Sequence, residues 1–268
     1  MVENLFDVSE SIVLVSGGSR GIGECIAMAF AERGANVVIT GRDYETLGET
    51  TKRINVGDGT TEGIVCDVTV PSSIDKCVDQ MIETYGRIDT LINCAGVNIR
   101  KPVLEFSAED YDFLFDINLR GAFLMSQKVG LQMIEQGGGS QINIDSLSSD
   151  KAIDQIVPYS MSKAAMTSMS KGLASEWGKY GVRVNSLAPG FIMTELTRAL
   201  WMQERMQAWG KVVTPLQRVG QSGDLIGTAI FLASQASAFI TGQIIRIDGG
   251  ISAGIHWPIA EDFKVTDI

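Results

Sequence analysis

Histidine is nearly absent: His256 is the only one in 268 residues. Cysteine is sparse too, with Cys25, Cys66, Cys77 and Cys94 all in the first half and no Cys-x-x-Cys pair. Zinc and iron sites draw ligands from such residues at short spacing, so no metal is expected. The four thiols stand in apolar surroundings and read as buried, free cysteines of a reducing compartment. Basic charge is also short: 22 Lys and Arg against 32 Asp and Glu leave a net charge of -10. Phosphate backbones and anionic lipid reward clustered cations, and no basic run is present, so neither nucleic acid nor a membrane surface is an expected partner. No apolar run reaches membrane-spanning length. Glu3 and Asp7 stand where a secretory leader would carry basic residues. A cytoplasmic chain is expected, and the lack of repeats or composition shifts makes residues 1–268 a single domain.

What the chain has instead is alternation. Short apolar runs at 11–16, 37–40, 62–66, 88–92, 141–144, 182–187 and 243–247 predict strands. Helical patterns fall between them at 24–32, 44–55, 71–85, 107–135, 159–180 and 222–234, with a turn at Gly57-Asp58-Gly59. Such alternation predicts an α/β fold: a doubly wound, mostly parallel seven-stranded sheet of Rossmann type with helices on both faces.

Between the first strand and first helix runs Gly17-Gly18-Ser19-Arg20-Gly21-Ile22-Gly23. Glycines there let backbone N–H groups at a helix start approach a pyrophosphate, and the helix dipole favours the anion; a plain tight turn is the other reading. The second strand ends at Thr40-Gly41-Arg42. An acid at that place would bind the ribose 2′-hydroxyl of NAD, whereas Arg42, with Arg20 closing over it, suits the 2′-phosphate of NADP. Asp43 keeps NAD open. After the third strand, Asp67-Val68 either meets the adenine or caps a turn, and Asn93-Cys94-Ala95-Gly96 ends the fourth strand with residues small enough for a ribose to lie on the backbone.

The second half carries the reactive groups. Tyr159-Ser160-Met161-Ser162-Lys163 puts a phenol and an ammonium one helical turn apart, and the ammonium favours the phenolate. Ser146 lies thirteen residues upstream, at a strand end. Asn118, between Ile117 and Leu119, is an amide in an apolar stretch: it either bonds a local kink or holds a water in a proton path. Residues 190–218, with Trp201, Met202, Met206, Trp209 and Pro215, form either a substrate lid or a helical pair packed on the core or a neighbouring subunit. In the tail, about 251–268, His256 fits packing or an interface better than catalysis.

Together these residues resemble the short-chain dehydrogenase/reductase family over roughly 11–250. Ser16-Gly17 through Gly23 is similar to its Thr-Gly-x-x-x-Gly-x-Gly loop, and Asn93-Cys94-Ala95-Gly96 to its Asn-Asn-Ala-Gly motif with Cys94 as the departure. Asn118, Ser146, Tyr159 and Lys163 match its catalytic tetrad, while Pro189, Gly190, Ile192 and Thr194 match the segment that holds the nicotinamide carboxamide. Asp145 stands where many members have another serine. The resemblance implies proton exchange by Tyr159 and hydride exchange by NADP, or by NAD. It further implies polarisation of the substrate oxygen by Ser146, ribose binding by Lys163 and a homotetramer, with Met161, Met166 and Met169 on an outward stripe of the 159–180 helix at its interface. The stretches 95–102 and 249–254 look most like the gluconate 5-dehydrogenase, sugar-acid and polyol branch, where Arg100 or Lys101 would meet an anion or remain solvated. A 3-oxoacyl-carrier-protein reductase and a cofactor-binding regulator without turnover are the alternatives.

Overall fold

The computed structural model describes residues 5–55 and 59–254; the expectations for His256, most of the tail, Gly57 and Asp58 fall outside them. Strand β1 (Ile12–Ser16) is buried on both faces and divides its side chains between two cores. Val13 and Val15 pack on one side of the sheet with Ile26, Phe30 and Leu225, while Ile12 and Leu14 pack on the other with Ile74, Met81 and Met125. This strict alternation fixes the register, since a one-residue slip would exchange the two cores.

Helix α1 (Gly21–Ala31) follows, then β2 (Asn36–Gly41), α2 (Tyr44–Ile54), β3 (Thr61–Val65), α3 (Pro71–Tyr85) and β4 (Thr90–Asn93). Helices α4 (Ala108–Phe115) and α5 (Ala122–Glu135) are joined without a break by a π-helical segment, Asp116–Gly121. Strand β5 (Gly139–Ile144), helix α6 (Val157–Trp177), strand β6 (Val182–Pro189) and the short β7 (Ile192–Met193) come next. After them come helices α7 (Glu195–Trp201) and α8 (Glu204–Val213), β8 (Gly220–Gln221), α9 (Ile226–Ala233) and β9 (Ile244–Ile247). The main sheet runs β3-β2-β1-β4-β5-β6-β9, and every neighbouring pair is parallel. The order reverses direction between β1 and β4, the switch point at whose carboxyl ends sheets of this kind receive ligands.

Three expectations are corrected. The long helix over 107–135 contains the wide π turn, which centres on Asn118. Residues 190–218 hold helices α7 and α8, as the helical-pair reading has it, closed at their base by the β7–β8 ladder. Phe191, Trp201 and Trp209 cluster there with ring centroids 5.1 to 6.4 Å apart. Met166, placed with Met161 and Met169 on an outward stripe, is a fully buried core residue, and Met169 packs against the core; only Met161 is exposed. Of the four free cysteines, Cys66 and Cys77 are buried but Cys25 and Cys94 are only half-buried.

Candidate active site

The glycine loop is shaped by contact rather than by flexibility. A Cβ on Gly23 would lie 2.2 Å from the Gly17 carbonyl oxygen, and one on Gly17 would lie 2.6 Å from the Ala95 backbone. The start of α1 is therefore pressed onto the loop, and the loop onto the end of β4. Buried Ile26 and Phe30 anchor the helix below, each contributing roughly 1.5–3 kcal/mol. Arg20, the N-cap residue, makes no side-chain cap, so the first-turn N–H groups of α1 stay available to an anion. Thr194 faces this loop, with its Cβ 3.8 Å from the position a Gly21 Cβ would take. The segment after β6, which includes Pro189, Gly190 and the buried Ile192, thus closes over the same groove.

At one end of the groove Arg20 and Arg42 are exposed, and neither forms an ion pair among the described residues. Asp43, the residue that kept NAD open, is already engaged. Its Oδ1 accepts from the Thr46 N–H at 2.8 Å and from the Thr46 hydroxyl, which caps α2 and holds the carboxyl below its ordinary range. Ser19 lies against Gly41, and its carbonyl accepts from Thr50. Asp67 Oδ1 accepts from the Thr69 N–H at 2.9 Å and hydroxyl at 2.8 Å, the turn-cap alternative. The Val68 side chain is buried beneath Gly121, where a Cβ would meet it at 2.8 Å. Asn93 turns its amide into the sheet, to Ser126 Oγ and Asn143 Oδ1, both at 2.8 Å. Of the fourth-strand motif, Ala95 and Gly96 are thus what the groove receives. Desolvation pushes the Cys94 thiol up to about 11, so it stands as a neutral substitute in that motif.

The reactive groups gather at the other end. Lys163, on α6, is 5 % exposed; its Nζ donates to the Ile144 carbonyl at 2.7 Å and lies 5.8 Å from the centre of the Tyr159 ring. Asn118 is fully buried by the π turn. Its Oδ1 accepts from the Val97 N–H at 2.8 Å, and its Nδ2 donates to the Val97 carbonyl at 2.9 Å and to Ser162 Oγ at 3.2 Å. This amide clamps the chain after β4 to α6. A Cβ on Gly96 would stand 3.4 Å from Asn118 Oδ1 and 3.8 Å from Lys163 Nζ, so the end of β4, the π turn and α6 meet at one place. Ser146 follows β5, its Oγ accepting from the Ser148 N–H at 3.1 Å and meeting the Ser148 hydroxyl at 3.0 Å.

Sequence reasoning missed the residues that hold these groups: Val97, Ser162, Ser148 and Thr167 act through a backbone amide or a hydroxyl and carry no pattern of their own. It also left Lys101 open, and the structure removes it as an anion contact. Lys101 pairs with Asp110 and lies over the Phe106 ring, while Arg100 is exposed and unpaired among the described residues. Among those residues, no group of His, Cys, Asp and Glu is placed to hold a metal, and no helix is long and apolar enough to cross a membrane.

Comparison with known proteins agrees with this geometry. A family model described as enoyl-(acyl carrier protein) reductase matches residues 17–252. Gluconate 5-dehydrogenase of Gluconobacter oxydans is 38% identical over 252 residues, 94% of this chain and 98% of that protein. D-threitol dehydrogenase of Mycolicibacterium smegmatis is 38% identical over 245 residues, 91% of this chain and 94% of its own. A solved gluconate 5-dehydrogenase from Burkholderia cenocepacia, in complex with NADP and tartrate, superposes with a TM-score of 0.91 at 36% identity, over 95% of this chain and all of that one.

Proposed function

Because the chain belongs to the short-chain dehydrogenase/reductase family, we propose that it is an NADP-preferring oxidoreductase. Its substrate would be the secondary alcohol or ketone of a sugar acid, sugar or polyol. The observation that carries the reading is the buried Lys163 ammonium, held on the Ile144 carbonyl beside Tyr159 at the reactive end of a groove built for a dinucleotide. The groove fits that group: the α1 start is uncapped, Gly17, Gly18 and Gly23 have no room for a Cβ, and Arg20 at the start of α1 and Arg42 after β2 are guanidiniums unpaired among the described residues and suited to a 2′-phosphate.

Gly17 to Gly23 would hold the pyrophosphate, Arg20 and Arg42 the 2′-phosphate, Ala95 and Gly96 the ribose side, and Ile192 and Thr194 the carboxamide. The nicotinamide, when bound, supplies or accepts the hydride. Tyr159 gives a proton to the substrate oxygen in reduction and takes it in oxidation, with the Lys163 ammonium beside it to bind the ribose hydroxyls. Ser146 donates to the same oxygen and stabilises charge that develops there. Asn118 holds the architecture around Lys163, and its Oδ1 keeps one lone pair for a water on the proton's way out. Arg100, exposed and without an ion pair among the described residues, would meet a substrate carboxylate.

A carrier-protein reductase would want a basic docking face, which a chain of net charge -10 without a basic run does not offer. A regulator without turnover would not need Ser146, Tyr159 and Lys163 together. Exposed Tyr111, Phe113, Phe123 and Met161 on α4, α5 and α6 support assembly into a homotetramer, which light scattering tests. Free cysteines support a cytoplasmic setting. The deciding experiment is a panel of sugar acids, polyols and acyl thioesters with NADP and NAD, run beside Tyr159→Phe. Turnover of the first two classes with NADP, lost by about 10²–10⁴-fold in the variant while cofactor binding persists, is expected. A variant near the wild-type rate overturns the assignment.

A further inference from the structure

Among the described residues only two Asp, Glu, Lys or Arg side chains are buried: Lys163, at 5 %, and Asp145, at 3 %. The first belongs to the site already described. We propose that Asp145 is a positioning residue for the same reaction: it clamps Ser146 from behind and ties it to the helix that carries Tyr159 and Lys163. The proposal rests on the reading of Ser146, Tyr159 and Lys163 given above.

The clamp is visible residue by residue. Lys163 Nζ holds the Ile144 carbonyl at 2.7 Å, and the Asp145 N–H donates to Leu187 of β6 at 2.8 Å. Asp145 Oδ1 accepts from the Ser146 N–H at 2.8 Å, and its Oδ2 accepts from the Thr167 hydroxyl. Thr167 lies one turn beyond Lys163 on α6, so Tyr159, Lys163 and Thr167 follow one another along a single helix face. Three consecutive residues at the end of β5 are thereby fixed to α6 and β6, and the third carries the serine hydroxyl. A serine at position 145 would have room for one such bond; the carboxylate makes both.

The carboxylate also brings charge. Burial raises the Asp145 carboxyl, while Thr167, Lys163 and the Ser146 N–H pull it back down. The charged groups that face it are Lys163 from α6 and Asp150 from the loop after Ser146, the latter paired with Arg246 of β9; β6 faces it with backbone only. The two buried charged side chains thus face one another behind Ser146.

The test compares Asp145→Asn with Asp145→Ala, at saturating cofactor, in the direction of alcohol oxidation. Asparagine keeps the volume and the acceptor towards Ser146, so its kcat falls less than threefold. Alanine removes the clamp, so its kcat falls roughly tenfold while cofactor Kd stays within twofold. An alanine enzyme at the wild-type kcat overturns the proposal; if alanine fails to fold, a kcat in Asp145→Asn lowered tenfold or more overturns it instead. Tyr159→Phe is measured alongside: an active phenylalanine enzyme overturns the site assignment itself, whereas an inactive one with wild-type kcat in Asp145→Ala overturns only the role of Asp145.

Discussion

Lys163 and Asn118, at one end of the groove, are buried and already hydrogen-bonded, whereas Arg20 and Arg42, at the other, are exposed and unpaired among the described residues. In the proposed function both pairs would serve one cofactor. At the reactive end the protein has desolvated its polar groups during folding and supplied partners for them, since an unpartnered buried charge would cost several kcal/mol. At the selective end it leaves the guanidiniums in water, where they cost little until a phosphate arrives. Geometry that must be accurate is paid for in advance, and geometry that must only recognise charge is completed by the ligand.

The sharpest way to break this contrast is Lys163→Met. The ammonium disappears, the Ile144 carbonyl loses its donor, and the end of β5 keeps only the Asn143–Ser170 and Asp145–Thr167 bonds to α6. Steady-state kcat is expected to fall by about 10²–10⁴-fold, together with weaker cofactor binding and a lower Tm. Retention of a tenth of the wild-type rate would show that the buried end is structural alone.

How much of this was legible in the sequence follows the same division. The glycine loop, Arg42, Ser146 and the Tyr159–Lys163 pair could be read because each depends on local spacing at a strand or helix end. All seven strands of the sheet were legible as well, since their buried runs are short and bounded by turn residues. The π turn at Asp116–Gly121 was not, because it forms when the Asn118 amide reaches Val97, 21 residues away in the chain. Helices α7 and α8 were legible only as one of two readings, because the aromatic side chains of that stretch pack on one another rather than along an obvious periodic face. Asp43, Lys101 and Asp67 each looked free for a ligand until a neighbouring N–H, hydroxyl or carboxylate took them. A sequence shows which groups are present; it does not show which of them the fold has already spent.

The exposed end is tested by Arg42→Ala and Arg20→Ala. A charge-assisted hydrogen bond to phosphate is worth about 1.5–3 kcal/mol, so each variant raises the KM for NADP by roughly 10- to 100-fold. The KM for NAD, which has no 2′-phosphate, stays within about twofold, and Tm stays nearly unchanged because neither side chain supports the fold. A fall in Tm comparable with that of Lys163→Met would mean that the two ends are not built differently after all.

The smallest effect separates burial from pairing. Arg218 and Asp224, at the base of α7 and α8, form a two-pronged ion pair at 2.6 and 2.8 Å, yet the side chains are 51% and 30% exposed. Arg218, and then the Gln221 N–H, hold the Asp224 carboxyl down to about 2. A carboxyl lowered by folding stabilises the native state above its unfolded value near ~3.9, and the gain disappears as pH falls through the folded value. Asp224→Asn should therefore lower Tm by only roughly 1–2 °C at neutral pH, because solvent screens the pair. The difference between the two proteins' denaturant midpoints should shrink between about pH 4 and about 2. If pairing alone gave a charge its value, this bidentate contact would rival Lys163. A small and acid-labile effect here, beside a large one at Lys163, would locate the difference in the exclusion of water.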